Sequence, residues 1–415
     1  MGGPSSSRPM VVVVLSGTSA VAADSDAMVR SGRHAVHRRH TGTHTDARRG
    51  RRWTVWAAAL VVIASTVFLG TQFAQTAVAP GYATWQDKTS TLLRAVGMGP
   101  VLDRVETWLY TRSAPSDTPP DPASVTMTGA APNSPGAGPR YPGLPTLAHT
   151  ADDAGWHAVV RVPGDPPVVY TAVIQPDPLH RSVVVGIGLV RSSAVRAHLE
   201  PGTVQPVRSG SAGQIPSGQL PDVAAAFNSG FKMSAYSGGF YLDGATVRTL
   251  VDGKASAVID DTGRLSIGQW GRDIQMSSHV RAVRQNLALI VEGGQPVPGL
   301  DRNVDLRWGT LHNQLQYTWR SAMGITRSGD IVYVAGDKLN LATLGVALTQ
   351  AGAVTGMELD IHSGMEFFSS WRSDGAGGSA PQRLMSAMVG PADRYVRPDQ
   401  RDFFYFTTRV STPAR

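Results

Sequence analysis

A long segment without charged side chains divides this sequence. No Asp, Glu, Lys or Arg occurs from Trp53 to Gln86, and Val55 to Gly70 is almost wholly apolar. Since about 20 apolar residues are enough for a helix to cross a bilayer, we predict one transmembrane helix over residues 53–79. A cleaved signal peptide is the alternative, because Ala77-Val78-Ala79 has the small-residue form of a cleavage site. Pro80, directly after it, favours an uncleaved anchor.

The charge of the chain is concentrated before this segment. Residues 1–55 hold nine arginines against three aspartates, whereas the whole chain has a formal net charge of +7. Basic residues on one side of a membrane helix stay cytoplasmic, which predicts a basic cytoplasmic tail at residues 1–52 and an exported C-terminal part at the plasma membrane. Met28 is an alternative start of translation. Because the rest of the chain has no basic patch with interleaved aromatic residues, we expect no nucleic-acid partner.

Several kinds of chemistry are excluded by missing residues or motifs. The chain has no cysteine, so it has no disulfide, thiolate nucleophile or Cys-ligated metal. It also lacks a His-Glu-x-x-His zinc motif, a phosphate-binding Walker loop and a Gly-x-Ser-x-Gly nucleophile elbow.

The composition after the apolar segment changes twice. Residues 80–112 have helical spacing of apolar side chains, interrupted by Gly97-Met-Gly99-Pro100, and predict two short helices near the membrane. Residues 113–145 are rich in Pro, Ala, Ser and Gly, which is typical of an extended linker. We therefore expect the folded domain to occupy residues 146–415.

The pattern within this domain predicts an α+β fold built on a mixed β-sheet. Strand-like runs recur at His157–Val162, Val168–Ile174, Ser182–Ile187, Val223–Phe227, Leu287–Val291, Ile331–Val334 and Thr355–Asp360. One helix is clear, because Asn340 is a good N-cap, Leu341, Leu344 and Leu348 share a face, and Gly352 can end it. This helix would join the Ile331 strand to the Thr355 strand in a β-α-β unit.

Two carboxylates end the Thr355 strand. Glu358 and Asp360 lie two residues apart, so on a strand they share one face, with their bases roughly 6.5 to 7 Å apart. With His362 just beyond, the cluster could perform acid/base chemistry. The alternatives are a solvated strand edge, a solvated turn histidine and, for Glu366, an exposed turn carboxylate.

A second polar constellation follows the Val223 strand. Asn228 could orient a sugar hydroxyl or a phosphate, the backbone at Gly230 could approach an anion closely, and Lys232 could neutralise that anion. The alternative is a strand-to-turn junction in which Asn228 and Gly230 only supply left-handed conformations.

Three more residues complete the candidate set. Arg320 has a planar fork suited to phosphate, or it forms a structural ion pair with Asp337 or Asp360. Asp337, in a turn closing the Ile331 strand, could face the same cleft as Asp360, or it is solvated. Arg284 could line the cleft, or it belongs to a solvated strand entrance.

Three segments, in this order, make residues 160–410 resemble the phosphodiester glycosidase family. The first family segment, Asn-Gly-Gly-Phe-Phe, is matched at Asn228, Gly230 and Phe231. The other two, Arg-Thr-Ala-x-Gly and Leu-Asp-Gly-Gly-Gly-Ser, are matched at Arg320, Ala322 and Gly324 and at Leu359 and Asp360. Lys232 replaces an aromatic residue of the family, and Ile361 and His362 replace two glycines. The chain looks like an actinobacterial, membrane-anchored branch.

The resemblance implies an extracytoplasmic hydrolase that cleaves a sugar-phosphodiester bond in cell-envelope glycans, with a carbohydrate or sugar phosphate as substrate. Asp360 would be the base or nucleophile, Glu358 would tune its pKa, Arg320 would clamp the phosphate, and Asn228 would orient the substrate. The substrate-binding set would be Gly230, Lys232, Arg284, His362 and Asp337. No ligand-spaced motif indicates a metal, although a divalent cation such as calcium could bind Asp360 and Glu358. The alternative function is a non-catalytic glycan-binding or envelope-organising module on the same scaffold.

Overall fold

The computed structural model describes residues 44–111, 114–121, 141–147, 150, 155–160, 165–208, 210–310, 314–373 and 379–409. The chain divides into two compact units, Met1–Ile63 and Ala64–Arg415. The predicted start at Met28 and most of the basic tail lie outside the described residues.

Four α-helices occur in the described ranges. They are α1 (His44–Val78), α2 (Trp85–Ala95), α3 (Gly99–Thr111) and α4 (Leu341–Gln350). The predicted helix at residues 53–79 overlaps α1, which ends at Val78. Among the described residues, no helix has the length and apolar character that crossing a membrane requires. The membrane anchor and its orientation stay predictions from the sequence. The α2 and α3 helices are the two short helices expected at residues 80–112, and we call Trp85–Thr111 the N-terminal hairpin.

Most of the described chain beyond this hairpin is β-strand. The strands are β1 (His157–Val160), β2 (Val169–Ile174), β3 (Val185–Val190), β4 (Val195–Glu200), β5 (Val223–Asn228), β6 (Phe240–Leu242), β7 (Ala245–Arg248), β8 (Ala255–Asp260), β9 (Leu265–Gln269), β10 (Val280–Gln285), β11 (Leu289–Glu292), β12 (Gln295–Pro296), β13 (Thr318–Thr326), β14 (Ile331–Leu339), β15 (Ala353–Ile361), β16 (Phe368–Ser373), β17 (Ser379–Arg383) and β18 (Phe403–Thr408). The fold therefore mixes helix and sheet and is mostly β.

The strands form three sheets. Their orders are β1-β2-β3-β14-β13-β15-β11-β12, β7-β6-β10-β8-β9 and β17-β16-β5-β18-β4. Each of these strand pairs is antiparallel, so the predicted mixed sheet is wrong. The reason lies in the predicted β-α-β unit: β14 and β15 do run parallel across α4, but β13 lies between them and pairs antiparallel with both.

The sequence signals for α4 are confirmed. Asn340 caps the helix, its Oδ1 accepting a hydrogen bond from the Thr343 N–H at 2.9 Å. Leu341, Leu344 and Leu348 are buried along one face, and Gly352 follows the helix with a φ of +93°, a conformation that glycine adopts without a steric penalty. This helix therefore fixes where β15, with its two carboxylates, enters the eight-stranded sheet.

Two apolar cores hold the sheets together. The larger contains buried side chains from all three sheets, among them Phe227, Tyr333 and Phe404. The other packs α4 against the eight-stranded sheet. Tyr141 and Leu144, which the sequence places in the linker, also pack on this second core, and the Tyr141 hydroxyl donates to Asp330 Oδ2 at 2.6 Å. Residues before the predicted boundary at 146 thus contact this core.

Candidate active site

Asp360 lies near the C-terminal end of β15, where β13 begins and β14 ends. Its side chain is almost fully buried, and its Oδ2 accepts a hydrogen bond from Arg401 Nη2 at 2.6 Å. Burial raises the pKa of Asp360, and the Arg401 guanidinium opposes that rise by favouring the carboxylate. The Ile361 N–H also donates to Asp360 Oδ1 at 2.9 Å. Asp360 is therefore a desolvated carboxyl group with one strong cationic partner.

Glu358 and Arg320 form a separate pair on the neighbouring strands. Arg320 Nη1 donates to Glu358 Oε1 at 2.7 Å, and both side chains are fully buried. Arg320 also donates to the carbonyl oxygens of Leu339 and Gln316. The guanidinium of Arg320 is therefore bound by protein groups. This is the structural ion pair that the sequence offered as an alternative, but its partner is Glu358 and not Asp337 or Asp360. Burial raises the pKa of Glu358 to about 7, although Arg320 favours its ionised form.

Glu366 is a buried carboxyl group that the sequence suggested would be an exposed turn residue. Its side chain is about 1% exposed, and neither carboxyl oxygen has a hydrogen-bond partner among the described residues. Burial raises its pKa well above the ordinary value, and the negative charge of Asp360 raises it further. The turn prediction failed because Phe367, the next residue, is anchored in a buried aromatic cluster and draws the connection inward.

Asn228 fixes this part of the chain. Its Oδ1 accepts hydrogen bonds from the Phe367 N–H at 3.1 Å and the Tyr333 hydroxyl at 3.0 Å, while its Nδ2 donates to Ser321 Oγ at 3.1 Å. All these groups are buried. The amide is thus used to hold β5, β13, β14 and the residue after Glu366 together, and Asn228 is a positioning residue.

A second buried ion pair stabilises the loop after β5. Arg284 Nε donates to Asp402 Oδ2 at 2.6 Å, with both side chains buried, and Arg284 Nη2 donates to the Phe231 carbonyl at 2.7 Å. Gly230 has a φ of +154°, and a Cβ added there would lie 2.7 Å from Asn286 Nδ2. Its carbonyl accepts a hydrogen bond from Arg401 Nη2 at 2.9 Å. Arg284 therefore supports the loop, and Gly230 allows its close approach to Asn286.

Lys232 points toward the N-terminal hairpin. Its Nζ forms an ion pair with Asp87 Oδ1 and donates to Thr91 Oγ1 at 2.8 Å. Asp87 Oδ2 lies 3.8 Å from Arg401 Nη1. One guanidinium, that of Arg401, thus stands between the carboxylates of Asp87 and Asp360, and α2 covers the site.

His362 continues this cover on the side of α3. Its ring stacks on Tyr110 with the centroids 5.0 Å apart, and burial lowers its pKa to about 3, so the imidazole is neutral. Its φ is +80°, a left-handed conformation that is uncommon for a residue with a side chain. His362 therefore adopts a backbone conformation that favours glycine.

Asp337 is placed apart from the buried carboxylates. It lies inside β14 and not in a turn, because that strand continues to Leu339, and its side chain is exposed. The β13 strand separates it from β15. Asp337 is near enough for its charge to raise the pKa of Glu366.

No group of three or more His, Asp or Glu side chains in the described part of the chain is arranged to hold a metal ion. Asp360 and Glu358, the residues considered for calcium, are each engaged by an arginine. A separate cleft of about 550 Å³ is lined by residues that include Arg196, His198 and Tyr405, but by none of the predicted site residues.

Three contributors were missed by the sequence reasoning: Arg401, Asp87 and Glu366. Arg401 belongs to the polar run Asp399-Gln-Arg-Asp402, which reads as a solvated loop but is buried. Its position directly before the aromatic strand β18 was the available signal. Asp87 is the first charge after the apolar segment, and the sequence alone gives no sign that it meets Lys232.

Comparison with known proteins gives distant structural likenesses only. No family model matches the sequence, and no curated protein matches it. The catalytic domain of zebrafish N-acetylglucosamine-1-phosphodiester alpha-N-acetylglucosaminidase, auto-inhibited by its pro-peptide, is 15% identical, with a TM-score of 0.40 and coverage of 61% of this chain and 87% of that chain. A hypothetical protein from Synechocystis is 13% identical (TM-score 0.32; 59% and 64% covered). A putative exported protein from Burkholderia pseudomallei K96243 is 11% identical (TM-score 0.30; 59% and 75% covered).

Proposed function

We propose that this protein is a hydrolase that cleaves the bond between a sugar and a phosphodiester. The observation that carries the proposal is a pair of buried carboxyl groups with different surroundings, one next to a cation and one without. Asp360 is paired with Arg401, whereas Glu366 has no hydrogen-bond partner among the described residues and a strongly raised pKa. Carboxyl groups whose environments separate their pKa values are the usual acid and base of glycoside hydrolysis.

The proposed reaction divides the work between these groups. The glycosidic C–O bond breaks, and Glu366 donates its proton to the oxygen that leaves with the phosphate. Asp360 acts either as a base that takes a proton from the attacking water or as a nucleophile toward the anomeric carbon. A sugar phosphate needs little protonation to leave, so we expect Asp360 to contribute more to the rate than Glu366.

Glu358, Arg320 and Asn228 act indirectly in this proposal. The Glu358–Arg320 pair and the Asn228 amide hold the strands that carry Asp360 and Glu366. Their substitution should therefore reduce stability together with activity. The proposal differs here from the expectation that Arg320 clamps the phosphate.

The test is hydrolysis of a panel of aryl and nucleotide-linked sugar phosphates by the full chain. Asp360→Asn should reduce kcat by at least about 10³-fold, the scale expected when a group that reacts in the transition state is removed. Glu366→Gln should reduce kcat less for sugar aryl phosphodiesters, which have a good leaving group, than for sugar alkyl phosphodiesters. Asp243→Asn, at an exposed carboxylate of the separate cleft, is the matched control and should keep activity.

The alternative is a non-catalytic glycan-binding module on the same scaffold. The N-terminal hairpin over Asp360 favours it, because α2 separates the carboxyl group from solvent. If the parent and Asp360→Asn bind a sugar equally and neither releases product from any member of the panel, the hydrolase proposal is refuted and the binding module is retained.

A further inference from the structure

We propose that Lys232 and Arg401 form a subsite for a phosphodiester anion, and that Asp87 of the N-terminal hairpin occupies it in this structure. The inference rests on the proposed function, because it places the phosphate of the substrate. Lys232 stands where the family segments have an aromatic residue, and Arg401 and Asp87, which complete the proposed subsite, lie outside those segments.

The contacts of Asp87 are those of a bound anion. Its two carboxyl oxygens are divided between two cations, Oδ1 toward Lys232 and Oδ2 toward Arg401. Only 7% of the Asp87 side chain is exposed, with 18% of Lys232 and 8% of Arg401. Although burial opposes it, the charges of Arg401 and Lys232 hold the pKa of Asp87 below its ordinary value. Asp87 therefore carries its negative charge inside a largely desolvated cationic site.

The charge of this group of side chains matches a monoanion. Lys232 and Arg401 supply two positive charges, and Asp360 and Asp87 supply two negative ones. If the hairpin withdraws Asp87, one positive charge remains unbalanced beside Asp360. A phosphodiester carries a single negative charge and has two non-bridging oxygens. It can therefore replace the Asp87 carboxylate with the same charge and with one oxygen for each cation.

The position of the subsite suits the proposed reaction. Arg401 donates to Asp360 through Nη2 and faces Asp87 through Nη1, so an anion replacing Asp87 lies one guanidinium away from the Asp360 carboxylate. The sugar attached to that phosphate would then extend toward Asp360. The hairpin occupies the same space through Asp87 and, farther along α3, through the stacking of Tyr110 on His362.

The helix that carries Asp87 begins at a side-chain cap. Thr84 caps α2, its Oγ1 accepting from the Asp87 N–H at 3.2 Å, which also fixes the start of the helix beside the site. The apolar side chains Trp85, Val101 and Val105 are exposed and do not bury the hairpin in a core. The hairpin is also held through the Tyr110–His362 stack and, just before α2, through the backbone of Tyr82, so a competing anion can enter the subsite by displacing Asp87.

The experiment measures binding of dimethyl phosphate, the smallest phosphodiester, to the full chain by titration calorimetry. Asp87→Ala should bind it at least about tenfold more tightly than the parent, because the competing carboxylate is gone. The double variant Asp87→Ala, Lys232→Met should lose at least this gain in affinity for dimethyl phosphate. Asp103→Ala, an exposed aspartate on the same hairpin, and Lys254→Met in the Asp87→Ala background are the matched controls and should change nothing. Inorganic phosphate, titrated in parallel, separates a requirement for a diester from general phosphate binding.

Hydrogen exchange provides a second readout in the unmodified chain. Saturating dimethyl phosphate should increase the exchange of the α2 amides and leave α4 unchanged. The subsite is refuted if Asp87→Ala binds no more tightly than the parent, or if Lys232→Met has no effect in that background. If Asp87→Ala does not fold, Asp87→Asn serves in its place with the same expected direction.

The two proposals can fail separately. Tight binding to Asp87→Ala without sugar release from any substrate would refute the hydrolase and retain the anion subsite. Sugar release that depends on Asp360, with dimethyl phosphate binding indifferent to Asp87 and Lys232, would retain the hydrolase and refute the subsite.

Discussion

Breaking the buried Arg320–Glu358 pair gives the sharpest test of whether Arg320 holds the fold or a phosphate. Arg320→Met leaves Glu358 in a site with no exposed surface and leaves the carbonyls of Leu339 and Gln316 without their donor. Removing one partner of a buried pair typically costs about 3–5 kcal/mol of unfolding free energy. For a domain of about 270 residues, with an unfolding entropy of about 2.1 cal/mol/K per residue, that corresponds to a fall in Tm of roughly 5–9 °C.

The measurement is urea denaturation followed by tryptophan fluorescence, with thermal unfolding as a check. The double variant Arg320→Met, Glu358→Leu should recover most of the loss, since apolar replacement of a whole buried pair is often neutral or stabilising. Arg272→Met is the matched control: that guanidinium also meets two carboxylates, Asp273 and Glu292, but it is 45% exposed, so the cost should stay within about 1 kcal/mol. If Arg320→Met keeps the parent's stability but loses phosphate binding, Arg320 binds phosphate and does not stabilise the fold.

Substitutions at three further positions test other parts of the site. Because burial raises the pKa of Glu366 in the folded state, the folded protein binds the proton more strongly, so the parent should lose unfolding free energy as the pH rises above about 4.5, the ordinary glutamate pKa. Glu366→Gln should lack this loss, and urea titrations between pH 4.5 and 8 would show parallel curves if Glu366 were an ordinary exposed carboxylate. Gly230→Ala should cost roughly 1–3 kcal/mol, because its Cβ would meet Asn286 at 2.7 Å; unchanged urea midpoints would contradict the close approach. His362→Gly should be more stable than His362→Ala by about 1 kcal/mol, since both remove the stacking on Tyr110 but only glycine avoids the penalty of the left-handed backbone; equal midpoints for the two variants would refute the strain.

The sequence predicted the parts of this site that depend on local pattern. Asn340, the leucine spacing of α4 and Gly352 located the helix, and the helix placed Glu358 and Asp360 on one strand of the eight-stranded sheet. These features follow from hydrogen-bond capping and from the periods of helix and strand, which a short stretch of sequence contains in full.

The partners of these carboxylates could not be predicted in the same way. Arg401 meets Asp360 from 41 residues later in the chain, and Asp87 reaches the same guanidinium from far earlier. Glu358 and Asp360 lie two residues apart on one strand and yet pair with different arginines. The choice of partner depends on which strand ends the three sheets bring together, and no local pattern encodes that arrangement. The antiparallel order was missed for the same reason, because the position of β13 between β14 and β15 is a property of the assembled sheet.

The segment before β18 connects most of these charges. Asp399 pairs with Arg394, Arg401 with Asp360, and Asp402 with Arg284, all in buried positions. The backbone of this segment also binds that of Tyr82, through hydrogen bonds of 2.6 Å to Pro398 and 3.0 Å from Gln400.

This arrangement has a consequence for how the protein is made. Translation proceeds from the N-terminus, so Arg284 and Asp360 leave the ribosome well before the residues that neutralise them. A chain that stops before Asp399 would contain nearly every strand of the three sheets, yet its interior would hold unpaired charges, at a cost of several kcal/mol each. We therefore expect the site to be completed only after the segment before β18 and β18 itself are synthesised, with β18 closing the sheet and the charge network in one step.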